Sequence, residues 1–408
     1  MSEPGRVVIV GAGMAGATAA GALREQGFAG EVVLIGQEIH RPYQLPPLSK
    51  GLLQGTTDEP DWVHGPGFHE EKRIEFRRGS TVVRIDPRDH VVETDDGERL
   101  RYDQLLLATG SEPRPLDLPG GELAGLRTLR TVDDSLALRE ALAEQPRVVI
   151  IGAGWIGCEV AAAARHHGAQ VTVVAPEPLP LVRVLGARMG AVFRDLHAAH
   201  GVAWRLGNNV TGFIGEARVH AVQCDDGSEL PADLVVIGVG AAPRLALAED
   251  AGLALADDVP GRGVAVDSRL RSSVPDIYAA GDVAAHDHPR YGRLRVEHWA
   301  NAKDQGAHAA ATMLGSPNPY NATPYFFTDQ YDLGMEYRGL ADPDDQVVVR
   351  GDLGALEFIA FWLRDGRVRA AMNVNMWDDG DALQALVDNQ APVTVEDLRE
   401  EDLSSLIP

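Results

Sequence analysis

Residues 6–16 read RVVIVGAGMAG, and residues 147–157 read RVVIIGAGWIG. Each stretch is an apolar strand pattern that runs into G-x-G-x-x-G, with glycines at positions 11, 13 and 16 and at positions 152, 154 and 157. The first glycine of this pattern permits a tight turn, the second lets a pyrophosphate approach the backbone, and the third lets the helix pack on the strand. The phosphates then lie at the positive end of the helix, on its unpaired N–H groups.

The spacing of the two copies carries more information than either copy alone. A single glycine-rich turn is also typical of a strand–helix junction that binds no ligand. Two copies that begin 141 positions apart, at the spacing of domains, indicate two bound dinucleotides. In one chain such a pair is usually a flavin and a nicotinamide, so the sequence predicts an electron-transfer enzyme.

Length, charge and cysteine content limit the possible classes of protein. The 408 residues suffice for roughly two to three domains, and the apolar content of 45% is ordinary for a soluble globular protein. A formal net charge of −23 argues against nucleic acid and against an anionic membrane surface as partners. The two cysteines, Cys158 and Cys224, form no C-x-x-C pattern and no metal-type cluster.

No targeting or membrane segment is expected. The chain starts MSEPGR, which lacks the pattern of a signal peptide. Its longest apolar stretch, residues 7–23, is too short and too rich in glycine for a membrane span. Together with the sparse cysteines, these features predict a soluble protein of the reducing cytoplasm.

The order of patterns along the chain predicts an α/β fold. Residues 6–35 read as a complete βαβ unit, and a second unit begins at residue 147. The proline-rich segment 113–119 predicts a domain boundary between them. The segment 41–50, RPYQLPPLSK, is compatible with a capped helix start. After residue 324, aromatic residues, Asp/Gly turns and strand-like runs indicate a separate α+β domain.

An acidic residue about 20 positions after the glycines is expected to bind a ribose hydroxyl. After the first fingerprint the candidates are Gln37 and Glu38, of which Glu38 is predicted to bind the ribose of an adenosine, with a surface acid as the alternative. After the second fingerprint the residue directly after the predicted strand is Ala175, which stands where the acid is expected, and Glu177 follows at a tolerable distance. Arg183 and Arg188 are near enough in sequence to accept a 2′-phosphate, so NADH and NADPH both remain open.

The sequence as a whole resembles a known family, the single-component, flavin-dependent ferredoxin reductases of bacterial oxygenase systems. This is the family of putidaredoxin reductase and of the biphenyl- and toluene-dioxygenase reductases. The resemblance rests on both fingerprints and on five further motifs, in matching order and spacing. They are RPYQLPPLSK (41–50), LLLATG (105–110), AAGDV (279–283), RVEHWANAKDQG (295–306) and YFFTDQYDLGMEYRG (325–339).

The resemblance implies a glutathione-reductase-like arrangement with two Rossmann-like domains and an α+β carboxy-terminal domain. An FAD-binding domain would be built from residues 1–112 and 243–324. An NAD(P)-binding domain, residues 113–242, would be inserted between these segments. Residues 325–408 would form the carboxy-terminal interface domain.

The same resemblance implies two catalytic residues. The ammonium of Lys50 would lie near the flavin, where a positive charge stabilises the anionic reduced ring. Glu159 would pair with Lys50 and orient the nicotinamide toward the flavin. Without its motif, Lys50 would be interpreted as a solvated lysine, and Phe327 is equally well explained as a core aromatic residue.

Fingerprints and resemblance together predict the remaining site residues, with no metal ligands among them. The expected FAD site contains Gly11, Gly13, Ala15, Gly16, Glu38, Arg41, Pro42, Lys50, Val83, Ala108, Thr109, Gly110, Arg130, Gly281, Asp282, Glu297, His298, Trp299 and Phe327. The expected NAD(P) site contains Gly152, Gly154, Trp155, Ile156, Gly157, Glu159, Glu177, Arg183 and Gly240.

The predicted function is that of an FAD-dependent NAD(P)H:ferredoxin oxidoreductase, which serves a cytochrome monooxygenase or a Rieske dioxygenase through an iron–sulfur ferredoxin. A disulfide reductase or peroxidase of the same fold is disfavoured, because residues 41–50 contain no cysteine. A rubredoxin reductase and an NADH-sensing flavoprotein like apoptosis-inducing factor remain as alternatives. The family suggests a monomer or a weak homodimer.

Ferredoxins are usually acidic, so we expect a locally basic docking surface on this acidic chain. Arg290, Arg293, Arg295 and Lys303 cluster in sequence near a predicted flavin segment. We therefore predict that they form that surface.

Overall fold

The computed structural model describes residues 5–342 and 344–407. The amino-terminal third begins with the first predicted βαβ unit. Its elements are β1 (Arg6–Val10), α1 (Met14–Glu25), β2 (Glu31–Gly36), a 3-10 helix (Pro46–Ser49), α2 (Gly51–Gln54), α3 (Phe68–Glu71), β3 (Ile74–Arg78), β4 (Val82–Asp86), β5 (Val91–Thr94), β6 (Arg99–Arg101), β7 (Gln104–Leu107) and β8 (Ser111–Pro113).

The middle of the chain contains the second βαβ unit. Its elements are β9 (Leu126–Arg127), α4 (Val132–Ala143), β10 (Arg147–Ile151), α5 (Trp155–His166), β11 (Gln170–Ala175), α6 (Val182–Ala199), β12 (Ala203–Leu206), β13 (Val210–Gly215), β14 (Val219–Cys224), β15 (Glu229–Pro231) and β16 (Leu234–Ile237). Both fingerprint helices therefore begin directly after the second glycine of their motif, and the third glycine lies in the first turn.

The last third returns to short strands and then forms a separate sheet. Its elements are β17 (Ala241–Pro243), α7 (Ala246–Asp250), β18 (Val264–Val266), β19 (Ile277–Ala279), β20 (Ala284–His288), β21 (Gly292–Arg295), α8 (Trp299–Met313), β22 (Tyr325–Gln330), β23 (Leu333–Gly339), β24 (Gln346–Asp352), β25 (Glu357–Arg364), β26 (Arg367–Val374), α9 (Gly380–Asn389), α10 (Val395–Glu400) and a 3-10 helix (Leu403–Leu406).

The chain divides into two compact units. The first unit consists of residues 5–44, 60–112 and 241–322, and the second consists of residues 45–59, 113–240 and 323–407. The chain thus leaves and re-enters each unit, and residues 45–59 belong with the second unit.

The first unit is built on a parallel sheet in the order β19-β7-β1-β2-β3. Strand β1 is central and its residues Val7 to Ile9 are fully buried, as expected for a parallel sheet covered on both faces. Two three-stranded sheets, β4-β5-β6 and β18-β20-β21, complete the unit. The carboxyl ends of the parallel strands carry the first glycine loop and the segment after β7, which places them at the usual ligand edge of such a sheet.

The second unit contains an equivalent parallel sheet in the order β12-β11-β10-β16-β9. The Asp226-Gly227 pair predicts a hairpin turn, and the structure has an antiparallel sheet, β13-β14-β15, in which β14 and β15 flank this turn. Residues after 324 form a five-stranded antiparallel sheet, β22-β23-β26-β25-β24, with α9 packed on it. The predicted α/β class and α+β carboxy-terminal part are confirmed.

Candidate active site

The loop after β1 shows a separate packing reason for each of its three glycines. Gly11 has a φ of +109°, and a Cβ placed there would lie 2.1 Å from the carbonyl oxygen of Ala108. A Cβ on Gly16 would lie 1.9 Å from the carbonyl oxygen of Gly11. A Cβ on Gly13, in contrast, would meet no described atom within 4 Å. The first and third glycines therefore close the turn, whereas the second leaves backbone open to a ligand.

The loop after β10 repeats this arrangement. Gly152 has a φ of +105°, and its Cβ would lie 2.3 Å from Gly238 O. A Cβ on Gly157 would lie 2.1 Å from Gly152 O, and one on Gly154 would meet nothing within 4 Å. Helices α1 and α5, which start at these loops, have neither a side-chain cap nor an acidic residue in the first turn. Both starts are thus open to an anion.

Two further predicted segments of the first unit meet the first glycine loop. Ala108 donates its backbone N–H to Val10 O, and it is the residue against which Gly11 packs. Gly281 has a φ of +80°, and a Cβ there would lie 3.1 Å from the Ala15 side chain. The structure therefore brings the LLLATG and AAGDV motifs to the amino-terminal end of α1.

Asp282 is held by a hydroxyl that the sequence analysis did not identify. Ser111 Oγ donates to Asp282 Oδ2 at 2.7 Å, and both residues are buried. The preceding residues Thr109 and Gly110 bond to Arg244, through Thr109 Oγ1 to Arg244 O at 3.2 Å and through Arg244 N to Gly110 O at 3.0 Å. These contacts hold the strand end and the Gly281-Asp282 turn together.

Helix α8 packs closely on α1, and this contact fixes the same turn. A Cβ on Gly306 would lie 2.3 Å from Ala15 O, so only glycine allows this approach. One residue earlier, the fully buried Gln305 accepts the N–H of Gly281 at its Oε1, over 2.8 Å. The sequence motif NAKDQG contains both residues, although their role became evident only from the packing.

The proline-rich segment and the strand before it contribute polar groups in the first unit. Arg41 lies over the Trp62 ring, with its guanidinium carbon 4.3 Å from the ring centre. Pro42 accepts the N–H of Val63. The hydroxyl of Tyr43 donates to Glu38 Oε2 at 2.5 Å, so the predicted ribose ligand is oriented by a neighbouring phenol.

The segment 297–299 leads into α8. His298 is the residue that precedes the helix, and burial lowers the pKa of its imidazole to about 4. The neutral ring therefore prevails at neutral pH. Trp299 begins the helix, and Lys303 Nζ lies 5.2 Å from the centre of its ring.

The predicted docking cluster is corrected at one position. Arg295 exposes only 6% of its side chain and bonds to Glu297, to Asp282 O and to Pro260 O. A guanidinium used inside the unit in this way cannot also face a partner. Arg293 is more accessible and pairs with Asp287 through two contacts of 2.8 and 3.0 Å.

The second unit contains a buried carboxylate with three donors. Lys50 Nζ lies 2.8 Å from Glu159 Oε1, and their side chains are 15% and 6% exposed. Thr328 Oγ1 donates to the same oxygen at 2.5 Å, and Ser49 Oγ donates to Oε2. The carboxylate is thus fully satisfied, as a buried charge must be to avoid a large desolvation cost.

Local backbone geometry explains how Lys50 reaches this position. The prolines start a 3-10 helix over Pro46–Ser49, as the alternative interpretation of the segment predicted, and α2 follows at Gly51. Lys50 lies at the break between the two helices, with φ −122° and ψ −115°. Ser135 anchors the turn because its hydroxyl donates to Leu48 O at 2.7 Å. Glu159 lies in the second turn of α5, two residues after Gly157.

Aromatic residues of β22 contact this ion pair and the start of α5. Lys50 Nζ lies 5.5 Å from the centre of the Phe327 ring, so Phe327 has a defined cation–π contact besides its packing. Trp155, at the start of α5, packs edge-on against Phe326 with ring centres 4.7 Å apart. Neighbouring residues of β22 therefore approach both the ion pair and the second glycine loop.

The end of β11 carries the predicted ribose ligand. Glu177 pairs with Arg183, with Arg183 Nη2 2.6 Å from Glu177 Oε1. Arg183 is 79% exposed, whereas the Glu177 side chain is 21% exposed. Gly240 accepts the N–H of Arg114 at 2.9 Å, and Arg130 precedes α4, where its N–H bonds to Asp134 at 3.0 Å.

Two predicted residues are apolar and exposed. Val83 lies on β4 and is 49% exposed, and Ile156 lies in the first turn of α5 and is 42% exposed. Sequence reasoning missed four polar residues that hold predicted ones, namely Ser49, Ser111, Gln305 and Thr328. Ser49, Gln305 and Thr328 lie inside motifs that carry the family resemblance, and this membership was the one signal of their importance. The sequence does not show which residues they bond to, because the partners are distant in the chain.

These observations test the fit to dinucleotides. Each unit presents a parallel sheet, a glycine loop with an open second glycine and an uncapped helix start, which together suit a pyrophosphate. The residues therefore fit two dinucleotides. Among the described residues no group of three potential ligands could hold a metal ion, and no helix is long and apolar enough to cross a membrane.

The fold and the site define a dinucleotide-dependent oxidoreductase with two nucleotide-binding sheets. Comparison with protein families is consistent with this class. Residues 5–306 match the pyridine nucleotide-disulphide oxidoreductase family, and residues 325–406 match the Reductase C-terminal family. The chain belongs to the pyridine nucleotide-disulphide oxidoreductases, in the branch that carries this carboxy-terminal domain.

Individual relatives narrow the branch. The ferredoxin–NAD(+) reductase component of the biphenyl dioxygenase system of Paraburkholderia xenovorans (strain LB400) is 37% identical over 97% of this chain and 96% of its own length. Putidaredoxin reductase of Pseudomonas putida is 36% identical over 96% of this chain and 94% of its own length. The ferredoxin reductase of the CYP199A2 system from Rhodopseudomonas palustris superposes with a TM-score of 0.94, at 36% identity, over 99% of this chain and all of that one.

A second solved structure, the covalent putidaredoxin reductase–putidaredoxin complex, has the same TM-score at 35% identity and covers 99% of this chain and 98% of that one. The resemblance to oxygenase-system ferredoxin reductases, the oxidoreductase class and the FAD and nicotinamide cofactors are therefore confirmed. Both cysteines are buried and free, which agrees with an enzyme that does not use a redox disulfide.

Proposed function

We propose that this chain is an NADH:ferredoxin oxidoreductase of the cytoplasm, serving a cytochrome monooxygenase or a Rieske dioxygenase. The observation that carries the proposal is the buried Lys50–Glu159 pair beside the second glycine loop. Bound FAD supplies the chemistry that accepts a hydride and releases electrons one at a time. The protein's own residues bind, orient and tune.

Lys50 contributes charge rather than proton transfer in this proposal. Its ammonium is 15% exposed and is held by Glu159 and by the Phe327 ring. A fixed cation in a mostly buried place stabilises negative charge on a neighbouring group more strongly than a solvated lysine does. Glu159 keeps that cation in place and, from the start of α5, lies close to where a nucleotide on the second loop would end.

Glu177 supports NADH as the electron donor. It lies two residues after the end of β11, close to the place where a ribose 2′-hydroxyl is expected. A 2′-phosphate at that position would face this negative charge. Arg183 pairs with the same carboxylate at 2.6 Å, so the two side chains together present no net positive charge to such a phosphate.

The electron acceptor is inferred from the relatives. Their names assign ferredoxin reduction to dioxygenase systems, and one solved relative is joined to putidaredoxin. Identity of about one third over nearly the full length makes an iron–sulfur ferredoxin the acceptor of first choice here. Rubredoxin reduction and slow NADH sensing are the competing outcomes.

Anaerobic titration of the purified protein with NADH, and separately with NADPH, tests the donor. Flavin absorbance near about 450 nm is followed. We expect bleaching at stoichiometric NADH and little bleaching by NADPH. Preferential bleaching by NADPH would overturn the role of Glu177, and bound flavin that neither nucleotide reduces would overturn the reductase function.

Carrier specificity is tested by steady-state reduction of a [2Fe–2S] ferredoxin, a rubredoxin and ferricyanide under the same conditions. We expect a higher kcat/KM for the ferredoxin than for the rubredoxin. Fast rubredoxin reduction with slow ferredoxin reduction would favour the rubredoxin alternative. A long-lived flavin–nicotinamide complex with slow transfer to every carrier would favour the sensing alternative.

A further inference from the structure

The carboxylate of Glu159 is the inner end of a buried line of polar side chains. Beyond Thr328, which donates to Glu159 Oε1 at 2.5 Å, Gln330 Nε2 donates to Thr328 Oγ1 at 3.2 Å. Thr328 and Gln330 are 1% and 0% exposed. They occupy alternate positions of β22, so their side chains leave the strand on the same face.

The line continues from β22 to the carboxyl end of α6. His197 Nε2 lies 2.8 Å from Gln330 Oε1, and Tyr331 Oη lies 3.2 Å from His197 Nδ1. His197 is fully buried, and the Tyr331 ring is stacked on His200 with centres 3.7 Å apart. Three elements, α5, β22 and α6, are thereby connected through side chains.

The hydrogens of this line all point toward Glu159. The amide nitrogen of Gln330 can only donate, so the Thr328 oxygen accepts from it and turns its own hydrogen to the carboxylate. The amide oxygen of Gln330 can only accept, so His197 carries its hydrogen on Nε2. His197 Nδ1 is then the acceptor for the Tyr331 hydroxyl. Burial lowers the pKa of His197 to about 4, which agrees with this neutral tautomer.

The surroundings of the line are apolar. Phe326 shares a face of β22 with Thr328 and Gln330, and Phe193 lies one helical turn before His197 on α6. Both belong to a buried apolar cluster that also contains Met372 and Val374. Polar groups in apolar surroundings destabilise the fold unless they form hydrogen bonds. Here each side chain of the line is hydrogen-bonded to the next one. An amide cannot pass a proton without changing its tautomer, so the line is suited to orienting Glu159 and not to delivering protons to it.

We propose that Thr328, Gln330 and His197 are positioning residues that hold the Glu159 carboxylate in the orientation in which it pairs with Lys50. The inference deepens the proposed function and rests on it. Thr328 acts directly on Glu159, Gln330 fixes the direction of the Thr328 hydroxyl, and His197 fixes the amide of Gln330.

Rapid mixing of the FAD-loaded enzyme with NADH tests the inner step. Thr328→Val removes the hydroxyl at nearly constant volume, and we expect the limiting rate of flavin reduction to fall roughly ten-fold. The apparent Kd for NADH should stay within about two-fold, because the nucleotide contacts are unchanged. Thr328→Ser keeps the hydroxyl and should restore most of the rate.

Val374→Ala is the matched control. Val374 is fully buried in the same cluster and lies outside the polar line, so this change loosens the packing without removing a hydrogen bond. We expect lower stability and an unchanged limiting rate. If Val374→Ala slowed reduction as much as Thr328→Val, or if Thr328→Val reacted like the wild type, the positioning role would be wrong.

Nitrogen-15 NMR of histidine-labelled FAD-loaded protein tests the outer steps without turnover. Glu159→Gln should shift the His197 Nε2–H resonance, since it changes the acceptor at the far end of the line, and Val374→Ala should not. An unshifted resonance would overturn the connection. If the flavin of the wild type were not reduced by either nucleotide, the proposed function would fail, whereas the NMR result would still report on the line itself.

Discussion

The Nζ atom of Lys50 lies 2.8 Å from Oε1 of Glu159, although 109 positions separate the two residues in the chain. The lysine comes from a break between a 3-10 helix and α2, and the glutamate from the start of α5. Both belong to the second unit, so the pair forms within one compact body. Its position beside the second glycine loop makes it the centre of the following predictions.

Replacement of Lys50 by methionine should slow flavin reduction by NADH by at least about 100-fold, because a positive charge aimed at developing negative charge is lost. The same change leaves Glu159 buried without its cation and should lower stability. Stopped-flow measurement of flavin reduction checks the rate. Lys72→Met is the matched control, since Lys72 is exposed, and it should react like the wild type.

The glycine loops predict opposite effects for two similar substitutions. Gly154→Ala adds a methyl group where no described atom lies within 4 Å, so the fold should tolerate it, while the pyrophosphate should lose close approach. We expect a KM for NADH raised about ten-fold or more with the FAD content unchanged. Gly157→Ala would place its Cβ 2.1 Å from Gly152 O and should impair folding instead. Nucleotide kinetics and the yield of folded protein distinguish the two; a normal KM for Gly154→Ala would contradict the proposed binding mode.

Nucleotide choice should depend on Glu177 and little on Arg183. Glu177→Gln removes the charge that favours a ribose hydroxyl, so the KM for NADH should rise roughly ten-fold and the preference for NADH over NADPH should shrink. Arg183→Gln should change the KM for NADH by less than about three-fold, because its side chain is 79% exposed and an exposed ion pair such as the one with Glu177 contributes little. Steady-state kinetics with both nucleotides check this. A larger effect of Arg183 than of Glu177 would reverse the proposed roles.

Ferredoxin docking should depend on the charges of Arg290 and Arg293, whereas the buried Arg295 should not contact the ferredoxin. Reversing the charge of Arg290 and Arg293 together should slow ferredoxin reduction several-fold at low salt, weaken its salt dependence and leave ferricyanide reduction unchanged. Arg262→Glu is a suitable control, since Arg262 is also exposed and paired with two acids in the same unit. Unchanged ferredoxin kinetics in the double variant would remove this cluster from the docking surface.

Stability should fall in mildly acidic solution because of buried histidines. Burial lowers the pKa of His286 to about 4 in the folded protein, whereas the unfolded chain takes up that proton near pH 6.5. The unfolded state therefore binds more protons between these values, and the free energy of unfolding decreases as the pH falls from 6.5 to 4. His286→Gln should reduce the loss between pH 7.5 and pH 5.0 by about 2 kcal/mol, measured by urea denaturation. The same change at the exposed His166 should not alter the loss; equal effects at both positions would contradict the prediction.

Local patterns were sufficient for the parts of the molecule that depend on neighbouring residues. The two glycine loops follow from spacing alone, because a strand, a tight turn and a helix form within about 20 residues. The sequence pattern predicts a helix over about residues 299–314, and α8 spans Trp299–Met313. The apolar run over residues 233–239 predicts a strand, and the observed strand is shorter, Leu234–Ile237, because Gly238 lies against the second glycine loop.

What the sequence determined by itself is therefore the class of fold, the two nucleotide loops and, through its motifs, the family. Only the tertiary structure decided which polar groups meet, because hydrogen bonds between distant residues leave no periodic pattern in the chain. Ser111 with Asp282, and Thr328 with Glu159, are separated by 171 and 169 positions. For the same reason Arg295, basic and close to other arginines in sequence, proved to be buried: burial depends on the packing of whole elements, and local charge does not report it.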